Sequence, residues 1–174
     1  MPSLRDRVAF GLVRVDDRLL HGQVVLNWVR LLRPRLVAIV DDALAEQPEV
    51  AGLMAATLPT GVTLWVGRAV EAVEALLGSS APGPEKTLVL VRGPAQAAAL
   101  YDAGIRYAAL NLGTLGAAED RVGVGKQLYL SRSEVGLLQK LAVDGVAVSA
   151  QALPNDPRVK LEEIACRVSH ASSV

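Results

Sequence analysis

The sequence predicts an α/β domain: an open, mostly parallel sheet with helices on both faces. Three observations carry this expectation. Short apolar runs alternate with helical patterns about five times along the chain, as in successive strand–helix–strand units. The run Leu36 to Val40 is apolar throughout, which suits a strand buried on both faces. Hydrophobic residues make up 51% of the 174 positions, and much of that is Ala, Val and Leu, the composition of parallel strands under helical cover.

The elements follow in order. Val8 to Val13 is a strand with Gly11 inside it, and a helical pattern from Gly22 to Leu32 ends before Pro34. Leu36 to Val40 is wholly apolar and therefore central, and it ends in Asp41-Asp42, either of which can cap the next helix. Pro48 falls inside the next pattern, so a short turn precedes a helix with proline in its first turn. Pro59-Thr60-Gly61 turns the chain into a strand at Val62 to Val66, and Ala69 to Leu77 is helical. Gly78 to Pro84 is loop by composition. Thr87 to Val91 is a strand, Pro94 to Asp102 a helix closed by Gly104, and Ile105 to Leu112 a strand. Val122 to Leu130 reads as a short extended ribbon. Ser131 and Glu134 form a capping box for a helix running to Ala142. Val146 to Gln151 is the last strand, Pro154 to Pro157 a turn, and Val159 to Val168 a terminal helix or irregular cover.

Composition narrows the function. Lys plus Arg and Asp plus Glu are both 18, so no basic surplus points to nucleic acid or an anionic membrane. No apolar stretch approaches the roughly 20 residues of a spanning helix, and Met1 to Arg7 lacks an apolar signal core, which reads as a cytoplasmic protein. The single cysteine, Cys166, excludes an internal disulfide framework and reads as a small buried group.

The chemistry concentrates in Arg14-Val15-Asp16-Asp17-Arg18-Leu19-Leu20-His21-Gly22-Gln23, between the first strand and the first helix. Doubly wound α/β proteins hold ligands outside the carboxyl ends of their strands. A helix start also favours an anion. An imidazole is neutral and nucleophilic near cell pH, so His21 can carry a phosphoryl group if one nitrogen is oriented and the added charge is met. Asp16 or Asp17 can orient the ring, Arg14 and Arg18 can screen the charge, and Gly22 and Gln23 supply backbone N–H groups. Asn111-Leu112-Gly113-Thr114-Leu115-Gly116, at another strand end, can bring backbone close to a ligand but is neither a Walker loop nor a dinucleotide fingerprint. A metal site is disfavoured, since His170 is remote in a Ser-rich tail. A hydrolase lacks a nucleophile elbow. A solvated loop with His21 only capping the helix stays open on pattern alone.

Arg14 to Val24, followed by Trp28, resembles the active-site motif of the IIB component of the mannose/fructose/sorbose family of the bacterial phosphoenolpyruvate:sugar phosphotransferase system. The likeness continues at Val40-Asp41-Asp42, Pro59, Gly104, Asn111-Leu112-Gly113 and Gln151 to Asp156, covering the chain from about Val8 to Leu161. The resemblance implies that His21 accepts a phosphoryl group on Nδ1 from a phosphorylated IIA protein. It then passes the group to a sugar bound by membrane IIC and IID partners. His21, Arg14, Asp16 and Arg18 take the catalytic positions; Asp17, Gly22, Gln23, Asp41, Asn111 and Gly113 are phosphoryl-binding or supporting. Also implied are a sheet of about seven strands, within the usual range, with one antiparallel edge strand, and a single domain over 1–174 with 1–7 and 169–174 frayed. The resemblance further implies no fused IIA segment, no cofactor, no nucleic-acid partner, a homodimer, and contact with the inner membrane only through the permease. Thr114, Leu115 and Ala45-Glu46-Gln47 depart from the family pattern. Two other readings remain: a regulatory phosphoacceptor that moves no sugar, and a ligand-binding domain in which His21 is never phosphorylated.

Overall fold

The computed structural model of the protein describes residues 7–171. Strand β1 is Leu12–Val15, β2 Leu36–Val40, β3 Thr63–Gly67, β4 Thr87–Val91, β5 Ala109–Leu112, β8 Ala147–Ala150 and β9 Val159–Lys160. They form one seven-stranded sheet in the order β3-β2-β4-β1-β5-β8-β9. Neighbours from β3 to β8 pair in parallel, and β9 closes the edge antiparallel to β8. Strands β6 (Val122–Gly123) and β7 (Tyr129–Leu130) make a separate two-stranded ribbon. The expected α/β architecture is therefore present, with one reassignment. The strand completing the main sheet is β9, where a terminal helix was expected from Val159, and not the ribbon. Two residues are too few for periodicity to separate strand from helix; the turn at Pro154 to Pro157 reverses the chain against β8.

Helix α1 covers residues 22–32, with Val24–Val29 in π-helical geometry and Arg30–Leu32 α-helical. It is followed by α2 (Asp42–Ala45), α3 (Pro48–Ala55), α4 (Ala72–Leu77, led by a 3₁₀ turn), α5 (Pro94–Asp102), α6 (Arg132–Val143) and α7 (Leu161–Ala171). Strand residues alternate between two cores. Val13, Val15, Ala38, Val89, Val91, Leu110 and Leu112 face one in which α4 to α7 bury Leu76, Leu100, Leu138 and Ile164. Val37, Ile39, Leu88 and Leu90 face the other, where α1 and α2 bury Val24, Trp28, Val29 and Leu44. This period-2 alternation puts Arg14, between Val13 and Val15, on the α1 face.

The first strand begins later than expected, at Leu12 rather than Val8. Val8 makes only an isolated bridge to Tyr107, and Gly11 passes so close to the Glu85 carbonyl that a Cβ would lie 2.9 Å from its oxygen. Arg14 and Val15 are therefore strand residues, not part of the turn. Cys166 is exposed rather than buried; it lies on α7 away from the Leu161, Ile164 and Val168 stripe that meets the core. Of the ends expected to fray, 1–6 and 172–174 lie outside the described residues. Arg7 donates from Nη1 to the Gly145 carbonyl at 2.7 Å, and α7 runs through His170. Among the described residues no helix is long and apolar enough to cross a membrane.

Candidate functional site

Strand β1 lies between β4 and β5. The chain leaves β1 toward β2 on one side and β5 toward β8 on the other. The crevice outside their carboxyl ends is thus a topological switch point, where open α/β sheets bind ligands. The segment of residues 16–21 spans it.

Asp16 is fully buried, and its amide donates to the Val91 carbonyl at 2.9 Å, continuing the β-ladder one residue past β1. The Leu19 amide returns to the Asp16 carbonyl at 2.9 Å, closing a turn. Leu19 holds φ at +54° inside the core, a conformation costing about 1 kcal/mol for a residue with a Cβ. Burial of Leu19 and Leu20 beside Val24 maintains it. The Val25 amide then donates to the His21 carbonyl at 3.0 Å, and the helix is under way.

Two oxygens of one carboxylate divide the work at Asp16. Oδ2 accepts from Arg14 Nη2 at 3.0 Å and Nε at 3.2 Å. Oδ1 lies 3.1 Å from His21 Nε2 and 3.3 Å from the Arg18 amide. The His21 side chain is 10% exposed. With Nε2 facing Asp16, Nδ1 is the ring nitrogen without a protein partner among the described residues.

Arg14 is 1% exposed, and its donors are all engaged within the protein. Besides Asp16, Nη1 donates to Asn111 Oδ1 at 2.6 Å and the Gln151 carbonyl at 2.9 Å, and Nη2 to the Ala152 carbonyl at 3.2 Å. An arginine carries five N–H groups, so none remains for an incoming anion. Burial pulls the guanidinium below its ordinary pKa against the opposing pull of Asp16, but arginine stays charged in proteins. Its Cζ lies 5.3 Å from the centroid of the Trp28 ring, whose Nε1 donates to the same Ala152 carbonyl at 3.1 Å. The π-helical stretch widens α1 where Trp28 must turn inward; π segments recur at functional sites. Gly113 completes the cage, since a Cβ there would sit 2.0 Å from Arg14 Cζ. Asn111, also buried, gives its Nδ2 to the Gln151 carbonyl at 3.3 Å. Arg14, Asn111 and Gly113 therefore form the floor beneath Asp16 rather than a surface facing a ligand.

Asp17 pins the loop to the segment that follows β5: its amide donates to the Thr114 carbonyl at 3.0 Å, and Oδ2 accepts from the Gly116 amide at 2.6 Å. The Gly116 carbonyl is held in turn by Arg121, which pairs with Glu134. Arg18 is exposed, and its side chain has no partner among the described residues. Gly22 and Gln23 open α1, where first-turn N–H groups lack intrahelical partners. Asp41 is a step removed. It caps α2 through the Leu44 amide at 2.8 Å and pairs with Arg92, Nε to Oδ2 at 2.8 Å and Nη2 to Oδ1 at 3.3 Å. Burial pushes the Asp41 carboxyl up, but the Arg92 hydrogen bond, the Leu44 amide and the Arg92 charge together hold it below the ordinary carboxylate range. Arg92 Nη1 donates to the Asp17 carbonyl at 3.0 Å. Sequence reasoning missed Arg92. Its signal was its place directly after the apolar run Thr87 to Val91, the same rule that singled out Asp41.

A family model described as the PTS system sorbose subfamily IIB component matches residues 10–173. The mannose-specific EIIAB component of Escherichia coli K12 is 23% identical over 163 residues, covering 94% of this chain; the chain spans 50% of that relative's length. The N-acetylgalactosamine-specific phosphotransferase enzyme IIB component 2 of the same organism is 27% identical over 150 residues, covering 86% of this chain and 94% of the relative. Among solved structures, manxB from Thermoanaerobacter tengcongensis superposes with a TM-score of 0.80 at 26% identity, over 90% of this chain and 94% of that one. The IIBSor domain of the Klebsiella pneumoniae sorbose permease shares the fold, with a TM-score of 0.77 at 22% identity over 90% of this chain and 96% of that domain.

Proposed function

The chain belongs to the sorbose-subfamily IIB components of the phosphotransferase system, and from that premise we propose that it is a phosphoryl carrier whose acceptor is Nδ1 of His21. The donor is a phosphorylated IIA protein, and the group goes on to a sugar bound by membrane IIC and IID partners. The observation that carries the reading is the contact between His21 Nε2 and Asp16 Oδ1 at 3.1 Å. It supports a ring protonated on Nε2 with the Nδ1 lone pair available.

In the forward step that lone pair attacks the phosphorus of the donor phosphohistidine. The N–P bond to the donor breaks, and its electron pair stays on the donor nitrogen. His21 then carries substituents on both nitrogens, so its ring becomes cationic, and the buried Asp16 carboxylate stabilises that charge. Arg14 holds Asp16 in place through two hydrogen bonds to Oδ2. Arg18 is the residue suited to the phosphoryl oxygens, because its donors are unspent. The N–H groups of Gly22 and Gln23 and the positive end of α1 favour the same anion. The carrier is proposed to act in the cytoplasm, as a homodimer, reaching the membrane through the permease.

The test is phosphoryl transfer from phosphoenolpyruvate through the general phosphotransferase proteins and a IIA protein. Sites are mapped by mass spectrometry under alkaline conditions, which preserve phosphohistidine. A label on His21, absent from His21→Ala, is the expected outcome. A labelled H21A protein, or an unlabelled wild type beside a competent IIA, refutes the assignment.

A further inference from the structure

We infer that Arg92 is a positioning residue for His21, acting through the peptide group that joins Asp17 to Arg18; its kinetic consequence rests on the phosphoacceptor reading above. That peptide is held at both polar ends. Its carbonyl, on Asp17, accepts from Arg92 Nη1 at 3.0 Å. Its N–H, on Arg18, donates to Asp16 Oδ1 at 3.3 Å. The same Oδ1 lies 3.1 Å from His21 Nε2. A peptide group is a rigid plane, so one plane links Arg92 to the oxygen that orients the imidazole.

Arg92 is itself anchored. Nε and Nη2 fork onto the two oxygens of Asp41, and Asp41 is fixed by capping α2. The contacts therefore run from the first turn of α2, through a guanidinium, into the turn that presents His21. No other side chain holds the Asp17 carbonyl among the described residues. The contacts to Thr114 and Gly116 restrain the amide and carboxylate of Asp17 but not the following peptide, which without Arg92 is held only by the 3.3 Å contact of its N–H to Asp16 Oδ1. Asp16 cannot follow such a rotation, because it is buried and held through Oδ2 by Arg14. Losing Arg92 thus shifts the turn relative to a fixed carboxylate, which is how His21 loses its alignment. Lysine is a poor substitute, since a point donor reaches one acceptor where the forked guanidinium spans Asp41 and the carbonyl together.

The experiment compares wild type, Arg92→Ala, Arg92→Lys and Asp41→Asn in the full chain, by two measurements. One is the protonation of the His21 ring nitrogens from their ¹⁵N NMR shifts. The other is steady-state transfer from phosphorylated IIA. Asparagine caps a helix about as well as aspartate, so D41N loosens the fork while sparing α2. In R92A the Nε2–H tautomer should lose population. Its kcat should fall about tenfold, and KM for the phosphorylated donor should change by less than about twofold. R92K should recover part of the loss, and D41N should move both readouts in the same direction by less. Unchanged ring shifts together with unchanged kcat in R92A overturn the inference. So does a loss confined to KM, which would make Arg92 a partner contact. If wild type accepts no phosphoryl group, the phosphoacceptor reading fails, and the ring shifts still decide Arg92: a shift in R92A supports the clasp and no shift overturns it.

Discussion

Gly113→Ala tests the buried cage directly. The glycine is not in a left-handed conformation, so alanine adds no backbone strain, and the effect isolates one clash. Its Cβ would lie 2.0 Å from Arg14 Cζ and from Nη2. A guanidinium at the end of a free side chain would swing away at little cost. Here it is tied to Asp16, Asn111 and the carbonyls of Gln151 and Ala152, and both Arg14 and Asp16 are buried. Moving it uncouples a desolvated ion pair, which costs about 3–5 kcal/mol when one partner is lost. For a domain of this size that is a fall in Tm of about 6–20 °C. Gly136→Ala is the control: it lies within α6, a Cβ there meets nothing within 4 Å, and helix propensity should stabilise the protein by about 0.5–1 kcal/mol. Urea unfolding followed by circular dichroism measures both. A G113A protein within about 0.5 kcal/mol of wild type would show that Arg14 does not pack against Gly113, and the account of the floor beneath Asp16 would be abandoned.

Trp28→Ala should lose about 3–5 kcal/mol, because the ring is buried in the α1 core; Trp28→Phe, which keeps most of the packing and leaves the Ala152 carbonyl its second donor, Arg14 Nη2, should lose about 0.5–1.5 kcal/mol, the net worth of one hydrogen bond. Denaturant midpoints check both, and a loss below about 1 kcal/mol for W28A would indicate a surface ring. Arg18→Ala should slow phosphoryl transfer while leaving Tm essentially unchanged, since the side chain is exposed and has no partner among the described residues; an unaltered transfer rate removes Arg18 from the site. The Asp41 carboxyl has a lowered native pKa, so its stabilising contribution is complete above the unfolded value near 4 and is lost as pH falls through the native value. Unfolding curves below about pH 4 should therefore separate wild type from D41N less than curves at pH 7 do, and a gap that widens on acidification contradicts the pairing with Arg92.

How much of this was legible in the chain depends on the range of each interaction. The runs Leu36–Val40 and Thr87–Val91 announced central strands because burial on both faces leaves a purely local mark, an unbroken apolar run. Ser131 and Glu134 announced α6 because a capping box closes within three residues. His21 was placed at a strand end next to a helix start by the same kind of local reasoning. The short edge strand β9 escaped, since two residues carry no period. Cys166 was misjudged because α7 meets the core along one stripe only, and its register is set by packing.

By itself, then, the amino-acid order determined the α/β class, the position of the segment from Arg14 to Gln23 that carries the chemistry, and the likeness to the IIB family. What each charged residue does there was decided by tertiary structure. Arg14 read as one of two arginines that could screen the added charge. Its donors are taken up by partners that include residues 97 and 137 positions away, which reach it only because the sheet sets β1 beside β5 and β5 beside β8. Asp41 looked like a neighbour of the phosphoryl site, and its partner Arg92 is 51 positions on, brought close because β4 lies between β2 and β1. The physical reason is the same in both cases. A strand's pattern is fixed by its own residues, whereas a buried charge must be satisfied by whatever strand order and register carry to it.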